Sequence, residues 1–266
     1  MLRTLALALL TVVLAGPAAA SEPSSFSVEK GLAYGSATRQ RGDLYRPDAG
    51  GLRPAVLVIH GGSWTRGSRT RMKNWAERFA GAGYVVFNID YRLAPESTHP
   101  AQRDDARAAF EWLRNRAGRL SVDPDRIGAM GYSSGGHLAL LLALEDDAGP
   151  RPAAVASGAA PTDLLAYPDN PVLRGFLGTG PERREVWVSA SPLEHAGAGD
   201  PPVLLFHGAL DSVVGIDHSR RLHARLEKHG VTTELVEQPF TGHMTAYVFD
   251  RSAFESALAF FEAHLR

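Results

Sequence analysis

Gly131-Tyr132-Ser133-Ser134-Gly135 stands between two segments of opposite character. Before it, Asp125-Arg126-Ile127-Gly128-Ala129-Met130 has the length and composition of a short strand. After it, Gly136 to Leu144 is an apolar run that reads as a buried helix. A G-x-S-x-G pattern at a strand-to-helix junction has a mechanical meaning. The turn must be sharp enough to strain the serine backbone, and the flanking glycines let strand and helix approach without a Cβ clash. The Ser133 hydroxyl then projects above the sheet edge, with the first amides of the helix behind it. A plain Gly/Ser-rich loop ahead of a buried helix is the bland alternative, and the rest of the chain has to decide.

With 266 residues, 44% hydrophobic, the chain suffices for one large α/β domain. A formal net charge of -1 gives no general attraction to nucleic acid. There is no cysteine, which excludes disulfides, thiolate nucleophiles, zinc–cysteine sites and iron–sulfur clusters together. The ten histidines are dispersed and form no H-E-x-x-H pair, so a dedicated metal site is not expected. Residues 1–20 read as a signal peptide. Arg3 is the basic start, Leu5 to Ala15 the apolar run, and Ala18-Ala19-Ala20 the small-residue site with cleavage before Ser21. The expectation is export to the periplasm or beyond, with no stable membrane anchor after cleavage.

Outward from the serine, apolar runs punctuate the chain. Pro54 to His60, Tyr84 to Ile89, Ala153 to Ser157 and Pro202 to His207 read as strands buried on both faces. Phe26–Val28 and Gly42–Tyr45 read as edge strands, and Thr232–Val236 as the last strand. Helical spacing occupies Arg71–Ala80, Pro100–Ala117, Ser219–His229 and Phe249–Leu265. Strands alternating with helices predict an α/β fold, a mostly parallel central sheet flanked by helices on both faces. Pro161 to Ala198 breaks the alternation with prolines and glycines. It reads as a small cap-like insertion in a single domain spanning 21–266.

A serine hydroxyl is barely nucleophilic at neutral pH and needs a base, and that base needs an acid to hold its tautomer. On a scaffold of this kind the order is Ser, Asp or Glu, then His, each just past the carboxyl end of a strand. Asp211 and His243 occupy those places. Asp217 and Asp163 compete for the acid; His218, His223 and His229 lie on or beside a helix and suit solvated positions better. His137 reads as a packing or hydrogen-bonding residue and His207 as a strand-end structural one. Backbone donors for an oxyanion are expected from Ser134, which follows the nucleophile, and from Gly62 and Ser63 after the first buried strand. His60 would brace that loop. Trp64 would either wall a substrate pocket or pack in the core.

Taken together, His60-Gly61-Gly62-Ser63-Trp64, Asp90-Tyr91-Arg92-Leu93-Ala94-Pro95-Glu96, Gly131-Tyr132-Ser133-Ser134-Gly135-Gly136-His137, Ser191-Pro192, His207-Gly208 with Asp211, and Gly242-His243 resemble the α/β-hydrolase superfamily. Within it they are similar to the BD-FAE-like and hormone-sensitive-lipase-like carboxylesterases. Ser63 stands where hormone-sensitive-lipase relatives carry a third glycine, and H-G-G-x-W is closer to the BD-FAE-like branch. The resemblance implies a serine carboxylesterase for small-acyl or aryl esters, with a small-molecule ester as partner and no cofactor. An amidase, formamidase or small peptidase would use the same residues, and a binding protein on the same scaffold is the reading from another class.

Overall fold

Eight strands form one sheet: β1 (Phe26–Ala33), β2 (Arg41–Pro47), β3 (Arg53–Ile59), β4 (Val85–Ile89), β5 (Val122–Tyr132), β6 (Val155–Gly158), β7 (Val203–Gly208) and β8 (Thr233–Gln238). They are seen in a computed structural model that describes residues 25–48, 50–146, 149–180, 182–248 and 251–266. The signal-peptide expectation for residues 1–20 lies outside the described residues. The strand order is β1-β2-β4-β3-β5-β6-β7-β8. β2 runs antiparallel to β1 and β4, and every other pair is parallel. The sheet is thus mostly parallel, as the alternation of strands and helices predicts.

The apolar runs explain the centre of the sheet. In β3 every residue from Pro54 to Ile59 is buried, and β4 is buried throughout. Each such Val, Leu or Ile side chain contributes about 1.5–3 kcal/mol over an exposed one. Helices cover both faces. On one face lie α1 (Lys73–Gly81) and, at the chain end, the helix Arg251–Leu265; Trp75, Phe79, Phe254 and Phe261 pack there as one cluster. On the other lie α2 (Ala101–Asn115), α3 (Ala117–Leu120) and α4 (Ser134–Leu144), with Phe110, Leu113, Leu138 and Leu140 in a second cluster. All eleven residues of α4 are buried, so it is apolar all round because nothing of it meets water.

Between β6 and β7 the chain leaves the layered pattern and forms three short helices, α5 (Pro171–Leu177), α6 (Arg184–Ser189) and α7 (Pro192–His195). After β7 come α8 (Asp217–Lys228), β8, α9 (His243–Val248) and α10, the final helix already described. A six-residue helix begins at His243, a stretch to which the sequence pattern assigns no element. One expectation needs correction. His218 is not solvated: it is buried, because Nδ1 accepts hydrogen bonds from the amides of Thr162 (3.1 Å) and Asp163 (3.3 Å).

Candidate active site

Parallel pairing brings the site together. β3 and β5 are neighbours with Ile59 opposite Gly131, so the loops after both strands leave at the same edge. β6 places Gly158 opposite Tyr132, and β7 and β8 end together at Gly208 and Gln238. Ser133, Asp211 and His243 therefore meet from loops far apart in the chain.

Ser133 has φ 54° and ψ −124°, a left-handed conformation that a residue with a Cβ adopts only under constraint. The constraint is visible. The Ser133 amide donates to Gly158 O at 2.7 Å, and Ser133 O accepts from His137 N at 2.9 Å in α4. A Cβ on Gly131 would lie 2.3 Å from the Gly135 backbone, so no other residue allows strand and helix to close on each other. The strain is locked at the strand end, and Oγ stands clear of the sheet.

His243 Nε2 lies 3.0 Å from Ser133 Oγ, and Nδ1 lies 2.6 Å from Asp211 Oδ2. Nδ1 faces a carboxylate and so carries the proton, leaving Nε2 to accept from the serine hydroxyl. Asp211 Oδ1 accepts from the amides of Val213 and Val214, both at 2.8 Å. His207 Nε2 adds a contact to Asp211 Oδ2 at 3.3 Å. Burial opposes charge on Asp211, but the hydrogen bonds from His207, His243 and the Val214 amide outweigh it, and its carboxyl is held well below the usual range. The competitors fall away on geometry. Asp217 is exposed beside Arg220, and Asp163 pairs with Arg221 at 2.6 Å.

Two residues make contacts that the sequence did not indicate. Tyr132 OH donates to His243 O at 2.5 Å and ties the histidine loop to the elbow. His207 donates from Nε2 to Val214 O at 2.8 Å, while its Nδ1 meets Ser219 Oγ at 2.7 Å. It sits at a strand end, as expected, and orders the Asp211 loop. That loop and the His243 loop are also joined by backbone bonds, Ala209 N to Gln238 O and Leu210 N to Thr241 O, both 2.9 Å.

Facing the serine is the loop after β3. Gly62, Ser63 and Trp64 have φ of 137°, 55° and 59°. Only glycine fits the first of these, since a Cβ on Gly62 would lie 1.9 Å from Arg66 O. Ser134 is the first residue of α4, so its amide has no partner within the helix. His60 stacks on Tyr91, 4.3 Å between ring centres, and Tyr91 OH donates to His60 O at 3.1 Å. Burial pushes the His60 pKa down to about 4.

Trp64 does both things weighed for it. It is buried, stacked on Phe176 of α5 at 4.2 Å, and it lines a cavity beside Ser133. Its indole N–H donates to His137 Nδ1 at 3.2 Å, and His137 Nε2 reaches Ala190 O at 2.7 Å. Burial lowers the His137 pKa to about 3, so the ring is neutral and carries its one proton on Nε2. Elbow helix, Trp64 loop and the segment after α6 are linked through this ring.

Two cavities meet at Ser63, Ser133 and Val213. One, of about 140 Å³, lies under α5 between Trp64, Leu164, Tyr167, Leu173 and His218. The other, of about 270 Å³, lies on the His243 side between Gly62, Arg66, Arg71, Tyr132 and Met244. Among the described residues no cluster of His, Asp and Glu suits a metal ion.

The family model for BD-FAE matches residues 43–226, which is more than half of the chain. The chain belongs to the BD-FAE family. The sheet order and the elbow place this BD-FAE member among the α/β-hydrolases, as the motifs suggested. It is 29% identical to the probable carboxylic ester hydrolase LipM of Mycobacterium tuberculosis, over 80% of this chain and 55% of that protein. The chain thus spans a little over half the length of that curated relative. Among solved structures it is similar to a truncated carbohydrate esterase from gut microbiota, with a TM-score of 0.77, 25% identity and coverage of 92% and 98% of the two chains. An esterase, Est2, of the planctomycete Thermogutta terrifontis matches with a TM-score of 0.75 and 27% identity over 90% of each chain.

Proposed function

We propose that this protein is a serine carboxylesterase for small-acyl esters, working through an acyl-enzyme on Ser133. The observation that carries the proposal is the relay from Ser133 Oγ through His243 to Asp211, set where two cavities meet. Ser133 Oγ attacks the ester carbonyl and His243 Nε2 takes its proton. Asp211 holds the tautomer and stabilises the imidazolium. The amides of Gly62, Ser63 and Ser134 receive the oxyanion, and the strained φ values of that loop aim them without reorganisation during the reaction. His243 then protonates the leaving alcohol, and in the second half-reaction it activates water against the acyl-enzyme.

The reach of His243 supports an assignment of the two cavities. The leaving oxygen must lie within reach of His243, so the alcohol occupies the cavity that His243 and Met244 line. The acyl group then enters the smaller cavity, floored by Trp64 stacked on Phe176. A closed aromatic floor favours acetyl to butyryl chains. The similar Est2 has been solved with propionate and with butyrate bound, which agrees with a short acyl group. The N-terminal pattern of residues 1–20 supports export, and a mature N-terminus at Ser21, read by mass spectrometry on protein from the periplasm or medium, is the expected result.

The test is hydrolysis of p-nitrophenyl esters from C2 to C12 by wild type and Ser133→Ala. Activity peaking at C2–C4 and lost in the variant, by about 10⁶ as in serine hydrolases of other folds, is expected. A folded wild type inactive on every ester would overturn the proposal.

A further inference from the structure

His218 lines the cavity under α5 although it is only 6% exposed. Its ring is held in place. Nδ1 lies 3.1 Å from the amide of Thr162 and 3.3 Å from that of Asp163, in the loop after β6. Thr162 Oγ1 donates to His218 O at 2.7 Å. Tyr167, also in the cavity wall, stacks on the ring with 5.0 Å between centres and 29° between planes.

This setting fixes where the proton is. A nitrogen that faces two backbone N–H groups must accept, so the neutral ring carries its one proton on Nε2. Burial lowers the pKa to about 4 and keeps the ring neutral. Nε2 is therefore a donor of set direction. Among the described residues no group accepts from it, and it is not one of the polar atoms sealed inside the core. The neighbouring Asp163 carboxylate is engaged by Arg221 at 2.6 Å. The ring edge away from Nδ1 opens on the cavity, whose walls include Trp64, Leu164, Leu173 and Val214.

A donor in an apolar wall constrains what fills the space. A hydrocarbon chain that displaces water there strands the N–H without an acceptor, which opposes binding. A chain that brings an oxygen to the same place restores the bond. Ser133 and His218 both line this one cavity of about 140 Å³, which puts the donor a few bonds beyond the ester carbonyl.

We propose that the natural acyl group carries a hydroxyl or keto oxygen on its third or fourth carbon, and that His218 Nε2–H donates to it. This rests on the esterase reading and the acyl assignment above, and names the acyl class that they leave open. His218 sets specificity and takes no part in bond making.

The test compares ethyl 3-hydroxybutyrate with ethyl butyrate, and ethyl 4-oxopentanoate with ethyl pentanoate. The quantity read is the kcat/KM ratio within each pair, divided by the same ratio for hydroxide hydrolysis to remove intrinsic reactivity. In His218→Asn, Oδ1 stands where Nδ1 stood and still accepts from the two amides, while the Nε2 donor is gone. The expected wild-type ratio is about tenfold in favour of the oxygenated ester in at least one pair, falling to near one in His218→Asn. A purely structural His218 would lower both members of a pair and leave their ratio alone. A wild-type ratio near one in both pairs overturns the inference whether or not the variant folds, and so does a ratio that survives the substitution. The control on the other side of the ester is 3-hydroxybutyl acetate against butyl acetate. A preference that depends on His218 there, and not in the acyl pairs, puts the cavity on the alcohol side and also overturns the inference. In each of these results Ser133-dependent hydrolysis persists, and the esterase reading stands. A folded wild type that turns over no ester at all would instead sink both.

Discussion

The two walls of the cleft are held by different forces. The frame wall, with Ser133, Gly62, Asp211 and His243, is tied by backbone bonds between its loops, with the side chains of Tyr132 and His207 added to them. Ser133 N bonds Gly158 O, Ala209 N bonds Gln238 O, and Leu210 N bonds Thr241 O. The cap wall, residues 161–198, is held largely through side chains. His137 reaches Ala190 O, Phe176 stacks on Trp64, and His99 Nε2 meets Ser189 Oγ at 3.2 Å, beside a backbone bond from His99 N to Phe176 O at 2.9 Å. Backbone bonds do not change with side-chain identity, whereas side-chain contacts do. Much of the frame is thereby insulated from substitutions that reshape the cavity under α5. Frame substitutions should strike kcat, and cap substitutions should strike selectivity and stability.

The strongest way to break this comparison is Asp211→Asn. It should lower kcat by about 10⁴, since the amide allows the wrong His243 tautomer while leaving the loop in place. Asp217→Asn, on an exposed residue, should change kcat by less than about twofold. Steady-state kinetics on p-nitrophenyl acetate reads both, and a reversed order would move the acid to Asp217. Next in size is Gly62→Ala. The added Cβ meets Arg66 O at 1.9 Å and the φ of 137° suits only glycine, so the loop must shift. One misplaced oxyanion donor costs about 10²–10³ in kcat. An unchanged kcat would show that Gly62 does not face the oxyanion.

The frame was legible because its signals coincide. Ser133 and Asp211 each follow a parallel strand whose end is buried and apolar, and His243 follows β8, a mostly half-exposed edge strand whose turn still marks its end. Periodicity finds the strand, and position past its end finds the residue. The structural place of His207 was read correctly, but the contact of Tyr132 escaped because its partner is set by tertiary geometry. Tyr132 OH meets a carbonyl 111 residues away, and nothing local marks it. His218 misled because it opens a charged helix, Asp217-His218-Ser219-Arg220-Arg221, yet its Nδ1 is turned inward to the Thr162 and Asp163 amides. The cap showed only as a break in alternation. Its helices of four to seven residues are too short to persist alone, so packing on Trp64 and His137 decides them. The same limit hid α9, whose six residues begin at His243.

A smaller effect sharpens the cap side. Leu173 of α5 lines the cavity assigned above to the acyl group and is buried. Leu173→Ala should raise kcat/KM for p-nitrophenyl hexanoate relative to acetate by about tenfold, the worth of a methylene or so of pocket. The C2 to C8 series measures it. An unchanged profile would mean that the cap does not wall the acyl site.

The smallest and most general effect is on acid stability, and it should fall first on the seam between the walls. His99, His137 and His218 all sit there, and burial lowers their pKa values to about 4, about 3 and about 4. An unfolded histidine titrates near 6.5, so between pH 6.5 and about 4 the unfolded chain binds protons that the folded one refuses. Stability is then full above pH 6.5 and falls with acidification by about 1.4 kcal/mol per pH unit for each such histidine inside the window. His60 adds a similar loss within the frame. Asp211 acts lower: its depressed carboxyl contributes stability above pH 4, lost only as pH falls further. Urea unfolding of wild type and His137→Gln at pH 7.5, 6.0 and 5.0 separates the seam from the rest. The variant should start less stable at pH 7.5 and lose stability less steeply, by about 1.4 kcal/mol per unit between pH 6 and 5. Parallel slopes would show that His137 does not resist protonation in the fold, and the side-chain seam would lose its acid-sensitive joint.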